Sequence, residues 1–196
     1  MKYPKIFAFL LVFLFSSPLV FSQEPSPEKA KDIISKTSRE VILAVKSNNF
    51  KKFSQFIHPS KGVRISLDAY VLLDQDLVFS SAQFAKLNLD KKKYMFGYAD
   101  GSGDPIRLTL AQYFQKRLYA HDFSNAPQVG YNQTLGHGNS IDNAFKIYPK
   151  AILVEYYFPG LDPKADGMDW VSRRFIFEEY QGKWYLTAII HDQWTT

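Results

Sequence analysis

Residues Trp170 to Thr195 read as two long β-strands joined at Gln181-Gly182, and a hairpin of that length is stable only if at least one of its faces is covered. A two-residue turn at Gln181-Gly182 places Tyr180 opposite Lys183, and an unbroken ladder then sets Val171 opposite Asp192 and Arg173 opposite Ile190. Side chains alternate along strands. One face therefore carries Val171, Arg173, Phe175 and Phe177 against Trp184, Leu186, Ala188, Ile190, Asp192 and Trp194, and its apolar content directs it to the core. Two charges fall on that face. Arg173 is the diagonal neighbour of Asp192, and a buried carboxylate left alone costs several kcal/mol, on the order of 3–5, so an Arg173–Asp192 ion pair is expected. The opposite face carries Ser172, Arg174, Ile176 and Glu178 beside His191, Ile189, Thr187 and Tyr185. His191 then points away from Asp192, and their adjacency in sequence is not a catalytic dyad. The face holding His191 and Tyr185 is a candidate surface for pairing two copies of the chain into a homodimer.

The N-terminus has the layout of a secretory leader. Lys2 and Lys5 precede an apolar run from Ile6 to Phe15, Pro18 breaks it, and small or medium residues at Val20-Phe21-Ser22 set cleavage before Gln23. The run is short of the roughly 20 apolar residues a membrane span needs, so stable membrane insertion is not expected once residues 1–22 are removed. There is no cysteine, which excludes a lipid-attachment site, any disulfide and a thiol nucleophile. The expected location is the periplasm or the exterior. Residues 23–196 then suit a single domain with a substantial core. Lys2 and Lys5 are two of 24 basic residues set against 19 acidic ones, so the exported chain keeps a net charge of only about +3. The clustered lysines at Lys51-Lys52 and Lys91-Lys92-Lys93 lie beside turns, and no stripe of arginines interleaved with aromatics appears, so nucleic acid is not an expected partner.

Between leader and hairpin, helices come first. Ser26 caps a helix with Pro27 at its first position, and Ile33, Ile34, Val41, Ile42 and Val45 recur near a 3.6-residue period to Asn48-Asn49. Phe50, Phe53, Phe56 and Ile57 share a face of a second, short helix that stops before Pro59. Short strands are expected at Val63–Ile65, Leu77–Phe79, Tyr94–Tyr98, Ile106–Leu108 and Val129–Tyr131. Ser80 or Ser81 caps a helical turn over Ala82–Leu87, and Thr109 caps a helix whose Leu110, Tyr113, Phe114 and Leu118 lie together. Residues 121–142, rich in Gly, Asn and Ser, read as irregular, and Ala151–Phe158 as a strand. Helices, then mixed elements, then an antiparallel meander give an α+β class, with N-terminal helices packed on a bent antiparallel sheet.

Several stretches carry a resemblance: HPSKGVRIS at 58–66, YADGSGDPIRLT at 98–109, VGYN at 129–132, VEYYFPG at 154–160 and GKWYLTAIIHDQWT at 182–195. In these motifs the chain resembles a group of uncharacterised exported bacterial proteins, and its element order is similar to the cone-shaped roll of the nuclear-transport-factor-2-like superfamily. That resemblance implies a bent sheet and helices enclosing a pocket. It implies no reaction, because the superfamily contains enzymes, ligand binders and association domains alike.

The chemistry-bearing residues form no complete motif. Asp100, Ser102 and Asp104 alternate as calcium ligands do, but Pro105 stands where the loop needs glycine and Ala111 where it needs glutamate. His58, His121, His137 and His191 lack metal-ligand spacing, no Gly-x-Ser-x-Gly elbow is present, and neither a metal nor a cofactor is expected. His58 before Pro59 reads as a helix-end residue. The reading favoured by these residues is a non-catalytic exported domain binding a small molecule or an envelope partner in a pocket to which the 17 Phe and 12 Tyr contribute. The alternative is a periplasmic isomerase, dehydratase or hydrolase with Asp192 or His58 as general acid/base and Arg64 or Arg173 steadying negative charge. In the first reading Trp184 and Trp194 seal the Arg173–Asp192 pair.

Overall fold

A computed structural model of the chain describes residues 25–194, so the expected leader lies outside the described residues. Helix α1 (Pro27–Lys46) begins where the sequence sets it, with the Ser26 hydroxyl accepting from the Lys29 N–H and Pro27 in the first turn. Its buried stripe is Ala30, Ile34, Val41, Ile42 and Val45. The short α2 (Phe50–Ser54) follows, capped by Asn49. Strands β1 (Val63–Ser66) and β2 (Leu77–Phe79) and helix α3 (Ser81–Ala85) come next, the last closed by a reciprocal Ser80–Gln83 capping box. Strands β3 (Lys93–Tyr98) and β4 (Pro105–Thr109) form a separate two-stranded ribbon that runs directly into α4 (Leu110–Tyr113). A π-helical turn, Phe114–Leu118, extends α4 where an unbroken α-helix is expected.

The remaining strands are β5 (Gln128–Tyr131), β6 (Ile152–Phe158), β7 (Val171–Tyr180) and β8 (Lys183–Gln193). A four-residue helix, α5 (Ala144–Ile147), lies between β5 and β6 and is not legible in the sequence. Six strands make one sheet in the order β2-β1-β8-β7-β6-β5. The α+β class is the one expected, with helices packed on a bent sheet. The sheet is antiparallel except where β1 runs parallel to β8. That joint arises because residues 56–58 first bond to Leu186, after which the chain loops out through the His58–Gly62 turn and resumes the same direction, laying β1 along Ala188 to Ile190.

Both faces of the sheet are covered. The larger core joins α1, α2, α3 and α4 to Val63, Ile65, Ile152, Val154, Phe175, Phe177 and Ile189. A smaller cluster on the other face joins Leu153, Ile176, Ala188 and Ile190 to Val71, Ala144, Phe145 and Tyr148. Two apolar faces remove the alternation that normally fixes a strand's register, and the hairpin departs from the expected ladder. From Tyr180↔Lys183 to Phe177↔Leu186 the pairing is the expected one; Ile176 then pairs with Ala188, leaving Thr187 as an extra residue. Its hydroxyl donates to the Ile176 carbonyl at 3.2 Å. Beyond this bulge every β8 side chain has changed faces: Ile189 and His191 enter the main core, and Ala188, Ile190 and Asp192 go to the other side.

Gly62 ties the parallel joint to β2. Its φ of +71° is open to glycine, and a Cβ there would stand 2.6 Å from the Phe79 carbonyl oxygen. Gly62→Ala is expected to cost about 1–3 kcal/mol, read as a lower urea midpoint with an unchanged slope.

Candidate functional site

β1 leaves β8 after the Ser66↔Ile190 pair, so the last residues of β8 run on beside a gap. Leu67, Asp68 and Ala69, where the chain turns away, form one wall of this gap, and Tyr98, Ala99 and Asp100 from the β3–β4 turn form another. Arg117 of the π-helical turn, Ser140, His191, Asp192 and Gln193 complete a cleft of about 210 Å³. The notch sits at the end of the sheet, so it receives His191 from one face and Asp192 from the other.

His191 belongs to a buried group on the main-core side. Its Nε2 lies 2.8 Å from the Tyr113 hydroxyl, and the Tyr113 ring stacks on Phe96 at 4.8 Å. Burial first, and then the charges of Arg173 and Arg117, hold the imidazole well below its ordinary range, so it is neutral at physiological pH. Burial likewise lifts the Tyr113 phenol, which stays protonated. Nδ1 of His191 has no partner among the described residues. Arg173, 3% exposed, faces the same side: its Nη2 donates to the Arg117 carbonyl at 3.0 Å and its guanidinium lies 4.8 Å from the Phe123 ring centre. Its Nε is buried without a partner, and burial brings its pKa down to about 10.

The ion pair expected between Arg173 and Asp192 is instead made by Arg174. One inserted residue at Thr187 moves Asp192 to the other face, opposite Ser172 and diagonal to Arg174. Arg174 Nη2 donates to Asp192 at 2.6 Å, Nε to Glu155 at 3.2 Å and Nη1 to Asp142 at 3.0 Å. Arg174 and Glu155 are 1% and 0% exposed, and Asp192 is 6% exposed. Glu155 also accepts from the Leu135 and Gly136 N–H groups, and Arg174 Nη2 reaches the Gly136 carbonyl. Segment 134–142 is thereby strapped to the sheet. Gly136 is required there, because a Cβ would stand 2.8 Å from the Trp170 ring. Three carboxylates on one guanidinium leave negative charge in surplus. Burial, with Glu155 and Asp142 adding to it and Arg174 opposing it, raises the Asp192 carboxyl to about 6.

Other expected site residues are dispersed. His58 is buried, and its Nδ1 accepts from the Lys61 N–H at 3.1 Å and the Ser60 N–H at 3.3 Å, so it is a neutral acceptor closing a turn rather than a helix-end cation or a general base. Burial and Lys61 hold its pKa down. It packs on Tyr180 and Tyr185 at the far end of the hairpin. Arg64 spends its Nη1 on the carbonyls of Leu72, Leu73 and Asp76 and borders a different groove with Lys61, Tyr148 and Glu178. Asp104 accepts from the Ser102 hydroxyl within its turn, whereas Asp100 reaches the cleft. Trp184 packs at the opposite end of β8 and Trp194 is 41% exposed, so neither seals Asp192. His191 and Ile189 are buried in the main core, so the face expected to pair two copies through His191 and Tyr185 is not an exposed one.

Arg117, Tyr113, Asp68, Glu155 and Arg174 are the site residues the sequence reading passed over. Glu155 carried a signal: a lone carboxylate inside the apolar run from Ile152 to Phe158 requires a cation, and Arg174 lies directly opposite it. Among the described residues no group of three or more His, Cys, Asp or Glu side chains is placed to hold a metal ion, and no helix is long and apolar enough to cross a membrane.

No family model matches the chain, and no curated protein sequence does. Among solved structures the chain is similar to one described as a calcium/calmodulin dependent protein kinase II association domain from Xanthomonas campestris. The two share 14% identity over 88% of this chain and 92% of that one, with a TM-score of 0.38. Neither site residues nor partners transfer at that similarity.

Removing Arg174 would strand three carboxylates, so Arg174→Met is expected to cost about 3–5 kcal/mol in denaturant melts, while Asp192→Asn, which keeps an acceptor for the guanidinium, is tolerated. The pH dependence has a definite sign. Asp192 holds its proton to about pH 6 when folded and releases it near the ordinary 3.8 when unfolded, so its contribution to stability declines as pH rises from about 4 to 6 and is flat above. The decline is at most about 3 kcal/mol. Subtracting the melts of Asp192→Asn from those of the parent across pH 4–8 isolates it.

Proposed function

We propose that the chain is an exported, non-catalytic domain that binds a small polar molecule in the cleft at the end of β8. The observation carrying this reading is that two buried polar side chains, His191 and Asp192, arrive from opposite faces of the sheet at one opening, and that Nδ1 of His191 has no partner there among the described residues. Burying polar groups costs free energy that apolar replacements would not. His191 meets Tyr113 through Nε2 and Asp192 meets Arg174, so the hydrogen-bonding group left to serve a ligand is Nδ1 of His191.

The N-terminal pattern supports export, with the mature chain starting at Gln23. One observation favours a catalytic reading second: the Asp192 carboxyl, lifted to about 6 and bordering the cleft, can hold or release a proton near neutral pH. Against it, Arg174 and the Gln193 N–H engage both of its oxygens. Its geometry is that of a fixed acceptor.

Screening a fragment library by amide NMR tests the proposal. Hits are expected to shift residues 67–69, 98–100, 117 and 191–193 and to be lost in Ser140→Trp, which fills the mouth from an exposed position. Shifts confined to the Arg64 groove, or none anywhere, would overturn it; steady turnover of a hit, abolished by Asp192→Asn, would favour the enzyme.

A further inference from the structure

The charges around the cleft are paired unevenly. Arg174 has three carboxylates, whereas Arg173 and Arg117 make no ion pair among the described residues. Arg173 is buried, and among the described residues the carboxylate whose charge acts on it is Asp192, at range and already held by Arg174. An enclosed guanidinium without a counter-ion is a costly arrangement, and it makes the inner end of the cleft, where Arg117 and the neutral His191 stand, favourable for an anionic group. A ligand seated there displaces water, so the attraction is weakly screened.

The mouth has the reverse polarity. Asp68 and Asp100 border it from the two turns, and neither makes an ion pair among the described residues. They also act on each other: loss of water first, and then the Asp100 charge, raises the Asp68 carboxyl above its usual range. Two like charges converging on one opening are relieved by a cation placed between them. The walls between the two ends, Leu67, Ala69 and Ile106, are apolar and suit a short hydrocarbon link.

We infer that the ligand is a small zwitterion of amino-acid type, its carboxylate directed inward to Arg117 and His191 and its ammonium held at the mouth by Asp68 and Asp100. This rests on the binding role proposed for the cleft and specifies it. A neutral His191 with Tyr113 as hydroxyl donor to Nε2 carries its proton on Nδ1, which then donates to the ligand carboxylate. Ser140 and Gln193 offer further polar groups without adding charge. Asp192, fixed by Arg174, marks the floor.

The test uses protein expressed from the full chain and titrated calorimetrically with the ω-amino acids from glycine to 6-aminohexanoate. Each is compared with the carboxylic acid and the amine of equal length, so the series also measures the separation of the two poles. One length is expected to bind at least tenfold more tightly than both of its single-charge counterparts. Arg117→Gln is expected to remove the advantage over the amine, and Asp68→Asn with Asp100→Asn the advantage over the acid, with circular dichroism unchanged. An acid that binds as tightly as the zwitterion makes this an anion site, an equally tight amine makes it a cation site, and either result overturns the inference while leaving the cleft a binding site. Failure of the whole series, with library fragments still mapping to the cleft, overturns the zwitterion alone; absence of any ligand at the cleft overturns the binding role as well.

Discussion

Thr187 stands opposite no residue of β7, and the chemistry of this molecule follows from that one insertion. Below the bulge, Trp184 and Leu186 face the main core; above it, Ile189 and His191 do, and Ala188, Ile190 and Asp192 are carried to the other face. Without it, Asp192 would share a face with Arg173, the expected ion pair would form, and His191 would stand among Arg174 and Glu155. With it, an acid joins a face that already has two acids on one arginine, and a neutral histidine joins two arginines that make no ion pair among the described residues. The charge imbalance across the sheet is a consequence of register.

The sequence revealed the fold class for reasons that are local. Ser26-Pro27 and Thr109 cap helices that do start there, the period of Ile34, Val41 and Val45 faces the core, and Gln181-Gly182 turns the hairpin with both residues at positive φ. What was hidden depends on tertiary contacts. A ladder with one apolar and one polar face would have exposed a slip as a run of misplaced polar residues. In Leu186-Thr187-Ala188-Ile189-Ile190 both faces are apolar, so the sequence is consistent with either register. The outer face is apolar because residues 67–76 and 132–150 fold back over it, and those segments have too little periodicity to announce that role. On the other side of the sheet the main core buries Ile189 and His191, so the surface that a pairing of two copies through His191 and Tyr185 requires is not exposed.

The site was legible in part. Asp192 and Asp100 were singled out and border the cleft; Arg173 was singled out and lies behind it, with the partner assigned to it taken by its neighbour. Arg-Arg at 173–174 places one guanidinium on each face whatever the register, so the sequence could say that two buried cations need two environments, but not which acids each would meet. Arg117 shares a helix face with Tyr113 at i,i+4 spacing, but that spacing does not say that the end of β8 lies against the face, so its place in the cleft was hidden.

The two arginines also separate what holds the structure from what serves a ligand. Arg174 fastens segment 134–142 to the sheet through both Glu155 and Asp142, and all of its bonds are internal. Arg173 has the same burial and a nearly empty set of partners, one carbonyl and one aromatic face. A core position with only a packing role is served at lower cost by an apolar side chain of similar size, since paired charges in an interior seldom exceed such a replacement in stability and an unpaired one falls below it. Arg173 gains less than Arg174 from being charged inside the fold. Its positive field extends toward Arg117 and His191, the two side chains through which the interior meets the cleft, and there it strengthens the hold on an anion that the folded chain does not itself supply.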